Sequence, residues 1–143
     1  LVFLWRGSLV EQLHEAVARQ GLADRVEVID RIVDVNRVLA RVHGAVVLAD
    51  DPALVKAFPH SLLEALVTGR PVLVSRALPM ADYVERTGCG RVVERVDAAG
   101  VLAALGRLEA DYDAHRAAAL SVGRRDFSRR GLLEAYGQIY SLA

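Results

Sequence analysis

The chain has 143 residues, of which 53% are hydrophobic and 25% charged, and its 18 basic side chains equal its 18 acidic ones. A net charge of zero excludes long-range attraction of the whole chain to nucleic acid or to an anionic membrane, and no apolar run approaches the roughly 18 residues of a membrane-spanning helix. The single cysteine, Cys89, excludes an internal disulfide and favours a reducing compartment, so we expect a cytoplasmic protein.

Strand-like and helix-like segments alternate along the first two thirds of the chain. Apolar or alternating runs predict strands at 1–5, 25–29, 45–49, 71–75 and 90–94. Helical spacing predicts a helix at about 9–20, a second one that Asp34 caps and Gly44 ends, and a third from about Ser61 that Gly69 ends. Two expectations accompany these elements: a capping box of Ser8 and Glu11, and a fully buried strand at 45–49.

The last third of the chain reads as helical. One predicted helix has an apolar face made of Val101, Leu102, Leu105 and Leu108, and a final amphipathic helix lies within "DFSRRGLLEAYGQIYSLA" (126–143). The helix before "AVVLA" has its own apolar face of Val35, Val38, Leu39 and Val42.

The alternation of strands and helices predicts a doubly wound, Rossmann-like α/β fold with a parallel sheet and right-handed crossovers, in one domain over 1–143. Because the run "LVFLW" opens the chain with no lead-in, we expect it to be part of a longer protein. In such a sheet, ligands bind beyond the carboxyl ends of the strands, where helix N-termini favour anions.

The stretch "KAFPHSLLEALVTGRPVLVS" (56–75) places a carboxylate, Glu64, in the first turn of a helix that follows such a strand. The spacing of Ser61 and Glu64 also fits a capping box, in which Glu64 has only a structural function. Spacing alone leaves both interpretations open. Lys56 and His60, taken singly, read as solvated side chains.

The same stretch resembles the signature of the group 1 family of retaining, nucleotide-sugar-dependent glycosyltransferases of GT-B architecture, which carry a Glu-x7-Glu motif. Residues 21–50 and 126–143 resemble further segments of that family, so the similarity covers nearly the whole chain. It corresponds to the nucleotide-sugar-binding C-terminal domain. The acceptor-binding N-terminal domain and the first strand of this domain would precede Leu1.

The resemblance implies a role for individual residues. Glu64 matches the second Glu of the motif, which accepts hydrogen bonds from the ribose hydroxyls of the nucleotide. His60, Ser61 and Leu62 match the helix start that would receive the donor diphosphate. Arg31 and Ile32 match the loop after the second strand that would line the base. Gly7 matches a glycine-containing turn that would lie near the phosphates.

Lys56 occupies the first Glu of the motif, so a hydrogen-bond acceptor for the donor sugar is replaced by a cation. Together with Glu64, Lys56 is a candidate catalytic residue that would neutralise the diphosphate leaving group. The resemblance implies transfer of a hexosyl group with retention from a UDP- or GDP-sugar, without an obligatory metal. The acceptor would be a glycan or a lipid-linked molecule, and the partners would include no nucleic acid.

Three other classes of protein are alternatives. A sugar-nucleotide epimerase of the same architecture would bind the same donors, and a phosphate-receiver module would use Asp50, Asp51 and Ser75. A nicotinamide-binding domain would need more glycines than Gly7 after the first strand. A cluster of arginines before the last helix either is solvated or faces the N-terminal domain or an anionic membrane; it consists of Arg124, Arg125, Arg129 and Arg130.

Overall fold

A computed structural model describes residues 1–141, so the last two residues of the predicted closing segment, 142 and 143, lie outside the described residues. The strands are β1 (Val2–Leu4), β2 (Glu27–Ile29), β3 (Ala45–Val47), β4 (Val72–Ser75) and β5 (Gly90–Val93). The helices are α1 (Val10–Arg19), α2 (Val35–Leu39), α3 (His60–Val67), α4 (Ala81–Thr87), α5 (Ala98–Ala110), α6 (Tyr112–Asp126) and α7 (Arg129–Ser141). The chain forms two compact units, the first over residues 1–34 and the second from Val35 onward.

The first unit contains α1 and a parallel pair of strands. β1 and β2 pair in register from Val2 opposite Glu27 to Leu4 opposite Ile29. Gly21 ends α1 with φ +64, the left-handed conformation that glycine often adopts after a helix. The predicted capping box of Ser8 and Glu11 is wrong, because Leu9 is the N-cap and no side chain bonds to the free amides there.

The second unit is built on a parallel sheet of three strands in the order β3-β4-β5. All four residues of the central strand β4 are buried, because neighbours lie on both edges and helices cover the faces. Gly90 of β5 has no room for a side chain, since a Cβ atom there would lie 1.9 Å from the Val72 carbonyl oxygen. Parallel strands flanked by helices confirm the α/β, Rossmann-like fold class.

The core of the second unit lies between this sheet, α3 and α6. Leu62, Ala65 and Leu66 of α3 are fully buried and belong to the same cluster as Val72 and Val74 of β4. α6 approaches α3 closely at Gly123, where a Cβ atom would lie 2.2 Å from the Leu66 carbonyl oxygen. The buried face of α3 is therefore held from two sides, by the strands and by α6.

Several expectations about burial and helix extent are wrong. β3 ends at Val47, and Val46 is 49% exposed because β3 lies at an edge of its sheet in the described structure. α2 ends at Leu39, so Val42 lies beyond the helix. In α5 it is Ala104 and Leu108 that are buried, whereas Leu102 and Leu105 are exposed.

The helical end of the chain contains more elements than the sequence predicted. α4, a helix of seven residues after β4, was not anticipated, and α6 is a separate helix from α5. The predicted final helix corresponds to α7, and none of its described residues is buried, including Leu132 and Tyr136. No helix in the described part of the chain is long and apolar enough to cross a membrane.

Candidate functional site at the start of helix α3

The first turn of α3 lies at the end of the sheet where the carboxyl ends of β3 and β4 are found. α3 lies between these two parallel strands in sequence and packs against both of them. Its direction is therefore opposite to theirs, and its N-terminus lies at their carboxyl ends. Gly69, with φ +70, turns the chain after α3 and returns it to β4. Crevices at this edge are the usual ligand sites of open parallel sheets.

Pro59 is the N-cap of α3, and it makes no side-chain cap bond. Its carbonyl oxygen accepts the amides of Leu62 and Leu63 at 3.0 and 3.3 Å. The predicted capping box of Ser61 and Glu64 is therefore wrong, because Ser61 is already the second residue of the helix. The signal that sequence reasoning missed is the proline itself, whose restricted φ suits the residue at a helix start.

Two amides at this helix start have no acceptor within the described residues, those of His60 and Ser61. Both residues are exposed, so both N–H groups are open to an anion. Leu62 was also predicted to offer its amide to the diphosphate; in the structure this amide donates to the Pro59 carbonyl oxygen. The Leu62 side chain is fully buried in the core.

Glu64 lies on the exposed face of α3. It follows His60 by four residues and Ser61 by three, which places all three on one side of the helix. Its carboxylate makes no hydrogen bond or ion pair with any residue that the structure describes. An unpaired carboxylate and two unpaired amides thus lie within about one helical turn of one another. This part of α3 offers both hydrogen-bond acceptors and hydrogen-bond donors to a ligand.

Lys56 lies in the loop that leads to α3. It is exposed and has no carboxylate partner in the described structure. Lys56 is the only lysine of a chain that contains 17 arginines. It is flanked by Leu54 and Phe58, two large apolar side chains that are mostly exposed. The loop therefore presents one exposed ammonium group and apolar surface beside the helix start.

Of the two aspartates before Pro52, Asp51 has a structural function. Its Oδ1 atom accepts the Ala53 amide at 2.8 Å and caps the 3-10 turn Pro52–Leu54. The hydroxyl of Ser75 is buried and bonds to the backbone of Ala49. A phosphate-receiver module would need this hydroxyl free, so the geometry does not favour that alternative.

Arg76 and three carboxylates form a cluster at the carboxyl ends of β4 and β5, which we call the Arg76 cluster. The guanidinium lies 2.6 Å from a carboxylate oxygen of Glu94, 3.2 Å from Glu85 and 3.3 Å from Asp82. The hydrogen bond from Arg76 lowers the pKa of the Glu94 carboxyl, and the two bonded glutamates raise the pKa of the guanidinium. Arg76 and Glu94 thus stabilise each other in their charged forms.

The remaining predicted residues lie in the first unit. Gly7 follows β1, and Arg31 and Ile32 follow β2, so all three lie at the carboxyl edge of the parallel pair. Ile32 is 83% exposed. Sequence reasoning missed Trp5 at the same edge, the only tryptophan of the chain, which is itself exposed.

Comparison with known proteins identifies the family of the chain. The model of the family described as "Glycosyl transferases group 1" matches residues 2–122 of the chain, which include all the predicted site residues. No curated protein matches the chain in sequence. Among residues 1–141, no three His, Cys, Asp or Glu side chains come together in a group suited to a metal ion.

Proposed function

Since the chain belongs to the group 1 glycosyltransferases, an assignment that supports glycosyl transfer as its activity, we propose that the start of α3 binds the nucleoside diphosphate part of a nucleotide-sugar donor. The observation that carries the proposal is that two free amides and the free Glu64 carboxylate lie on one exposed face of α3. The amides of His60 and Ser61 donate to phosphate oxygens. The carboxylate, which is acceptor-only, takes the two ribose hydroxyls.

The reaction is the transfer of a hexosyl group with retention at the anomeric carbon. The bond between that carbon and the diphosphate oxygen breaks, and its electron pair leaves with the diphosphate. The acceptor oxygen forms the new bond, and its proton goes to the departing diphosphate. Amides at a helix start stabilise the negative charge that develops on the leaving group, and Lys56 adds a positive charge from the loop.

The finer identity of the substrates extends the same proposal. The donor is a UDP- or GDP-sugar, and the acceptor is a glycan or lipid-linked molecule held by a further domain of the enzyme. Gly7, Arg31 and Ile32 remain predicted donor contacts that rest on the family resemblance. A cytoplasmic location, and contact of the enzyme with a membrane surface, likewise rest on sequence reasoning alone.

The proposal is tested by Glu64→Gln, with UDP and GDP titrated into the chain in a calorimeter. We expect at least one of them to bind, and the variant to bind it about tenfold more weakly, because an amide replaces an ionic acceptor. The melting temperature should hardly change, since Glu64 has no partner to lose. Glu109→Gln, a change at another exposed glutamate, is the matched control.

Two results would count against the proposal. Equal nucleotide affinity in Glu64→Gln and wild type would remove Glu64 from the site. Conversion of the donor to its epimer without any acceptor would instead identify the epimerase alternative, which chromatography of the incubated donor detects.

A further inference from the structure

Helix α7 turns an apolar face away from the rest of the protein, and we propose that this face lies on an anionic phospholipid surface. Its residues recur at helical spacing, and we call them the α7 apolar face: Leu132, Leu133, Tyr136, Ile139 and Tyr140. All five side chains are exposed, from 53% for Tyr136 to 75% for Tyr140. The inference locates in α7 the membrane contact that the sequence left open, and it does not rest on nucleotide binding at α3.

The side of α7 that meets the protein is its polar side. Gly131 lies against the end of α6, where a Cβ atom would lie 2.1 Å from the Arg125 carbonyl oxygen. Arg130 and Glu134 line a groove between α6 and α7, and the Arg130 guanidinium donates to the Glu134 carboxylate at 2.7 Å. At 3.6 residues per turn, the α7 apolar face lies on the side of the helix away from Gly131. The apolar side chains therefore point to solvent.

Positive charge is concentrated beside the α7 apolar face. Arg129 precedes Leu132 by three residues and Leu133 by four, so it lies on the same side of α7 as the apolar residues. Arg124 and Arg129 are exposed, and neither forms an ion pair with a described residue. Residues 124–141 contain four arginines and two acidic residues, a formal charge of +2 in a chain whose total is zero. This part of the molecule is complementary to an anionic surface.

The residues of this face favour a lipid surface over another protein. A protein partner that covered the face would remove Arg129 from water and would need an acidic residue to pair with it. At a phospholipid surface the apolar side chains enter the acyl boundary, while the arginine extends to the phosphate groups. Tyr136 and Tyr140 suit the same depth, because tyrosine combines an apolar ring with a hydroxyl that stays hydrated. The 13 residues of α7 are fewer than a spanning helix needs, so α7 lies in the plane of the surface.

The test is sedimentation of the full chain with vesicles of phosphatidylcholine, either pure or containing about 30% phosphatidylglycerol. We expect binding to the anionic vesicles only, and weaker binding as the salt concentration rises. Leu133→Ser and Tyr136→Ser should each weaken binding about tenfold, because each removes apolar surface from the lipid. Arg129→Gln should weaken it about fivefold. The matched controls, Leu102→Ser at an exposed leucine of α5 and Arg19→Gln at an exposed arginine of α1, should leave it unchanged.

Fluorescence shows whether α7 itself meets the lipid. Because Trp5 is the only tryptophan, a chain that carries Trp5→Phe and Tyr140→Trp has its single indole on α7. Its emission should shift to shorter wavelength with the anionic vesicles and should not shift with pure phosphatidylcholine. The substitutions in α7 should hardly change the melting temperature, since none of its described side chains is buried.

Three outcomes overturn the proposal. The first is failure of the wild-type chain to bind the anionic vesicles, and the second is equal binding by wild type and Leu133→Ser. The third is a dimer, found by sedimentation equilibrium without lipid, that Leu133→Ser and Tyr136→Ser both dissociate, since the face would then belong to a second copy of the chain. Calorimetric binding of UDP or GDP should be the same in all these α7 variants, so failure of this proposal is distinguishable from failure of the one for α3.

Discussion

The hydroxyl of Ser75 and the backbone of Ala49 bond to each other in both directions. Oγ donates to the Ala49 carbonyl at 2.8 Å and accepts the Ala49 amide at 2.9 Å. The bonds join the last residue of β4 to the chain just beyond β3, where the loop to α3 begins. Ser75 is 1% exposed, so water does not replace a lost partner.

Ser75→Ala should therefore lower the free energy of unfolding by about 1–3 kcal/mol, because it leaves a buried donor and a buried acceptor unpaired. Urea denaturation measures the change. Ser121→Ala, at an exposed serine of α6, is the control and should change it by less than about 0.5 kcal/mol. A loss of stability as small in Ser75→Ala as in the control would mean that the two bonds contribute little.

Lys56 can be followed chemically, because it is the only lysine. If its ammonium group neutralises the diphosphate, a bound nucleoside diphosphate should slow acylation of Lys56, as measured by mass spectrometry of the peptide that contains it. Lys56→Ala should weaken diphosphate binding about tenfold, the value of one charged contact. The nucleoside without phosphates should give no protection. Equal acylation rates with and without the diphosphate would assign Lys56 to solvent.

Gly123 and Gly106 form a matched pair of helical glycines. Gly123→Ala in α6 should lower the free energy of unfolding by about 1–3 kcal/mol, because its methyl group would overlap the Leu66 carbonyl oxygen and push α6 away from α3. Gly106→Ala in α5 meets no atom within 4 Å and should raise it by about 0.5–1 kcal/mol. Thermal melts of both variants compare them. Stabilisation by Gly123→Ala would contradict the close packing of the two helices.

Asp126 should make the protein sensitive to acid. Its carboxylate accepts two bonds from Arg125, at 2.6 and 2.7 Å, and one from the Tyr83 hydroxyl. The bonds from Arg125, and then the one from Tyr83, lower the pKa of Asp126 in the folded state. Its contribution to stability is therefore complete above the unfolded pKa, near 4, and is lost as the pH falls through the lower folded value.

The matching variant is Asp126→Asn. At pH 7 it should reduce the free energy of unfolding by about 1 kcal/mol, since the pair is partly exposed. The difference from wild type should shrink steadily below pH 4, which urea melts across that range would detect. Asp24→Asn serves as control at an exposed aspartate of the first unit. A difference that is constant from pH 7 to pH 2 would show that the charge of Asp126 is not involved.

The sequence predicted those features that depend on residues close to one another along the chain. The strand at 71–75 and the glycine turn at Gly69 follow from a continuous apolar run and from one residue type, and both are confirmed. The fold class follows from the alternation of such segments. The position of Glu64 one turn into α3 was likewise readable from the spacing of the helix.

Predictions failed where a local signal was overlooked, as with Pro59 at the start of α3, or where the outcome depends on contacts distant in sequence. A capping box at Ser61 has the correct spacing, but the helix begins one residue earlier, so the amides it would satisfy are arranged differently. Val46 has an apolar neighbour on either side, and its exposure follows from the edge position of β3. Trp5 was read only as part of an apolar strand, because its place beyond β1 depends on the pairing with β2.

The Arg76 cluster affects where a diphosphate can bind at the carboxyl ends of the strands of the second unit. One guanidinium among three carboxylates gives that group of side chains a formal net charge of −2. Asp82, one of the three, lies in the first turn of α4, so the amides of that helix already face an anion of the protein. A doubly charged ligand is repelled there and attracted to the start of α3, which lies at the carboxyl ends of β3 and β4. We therefore expect the cluster to disfavour an anion at this position, and replacement of its carboxylates to remove that repulsion.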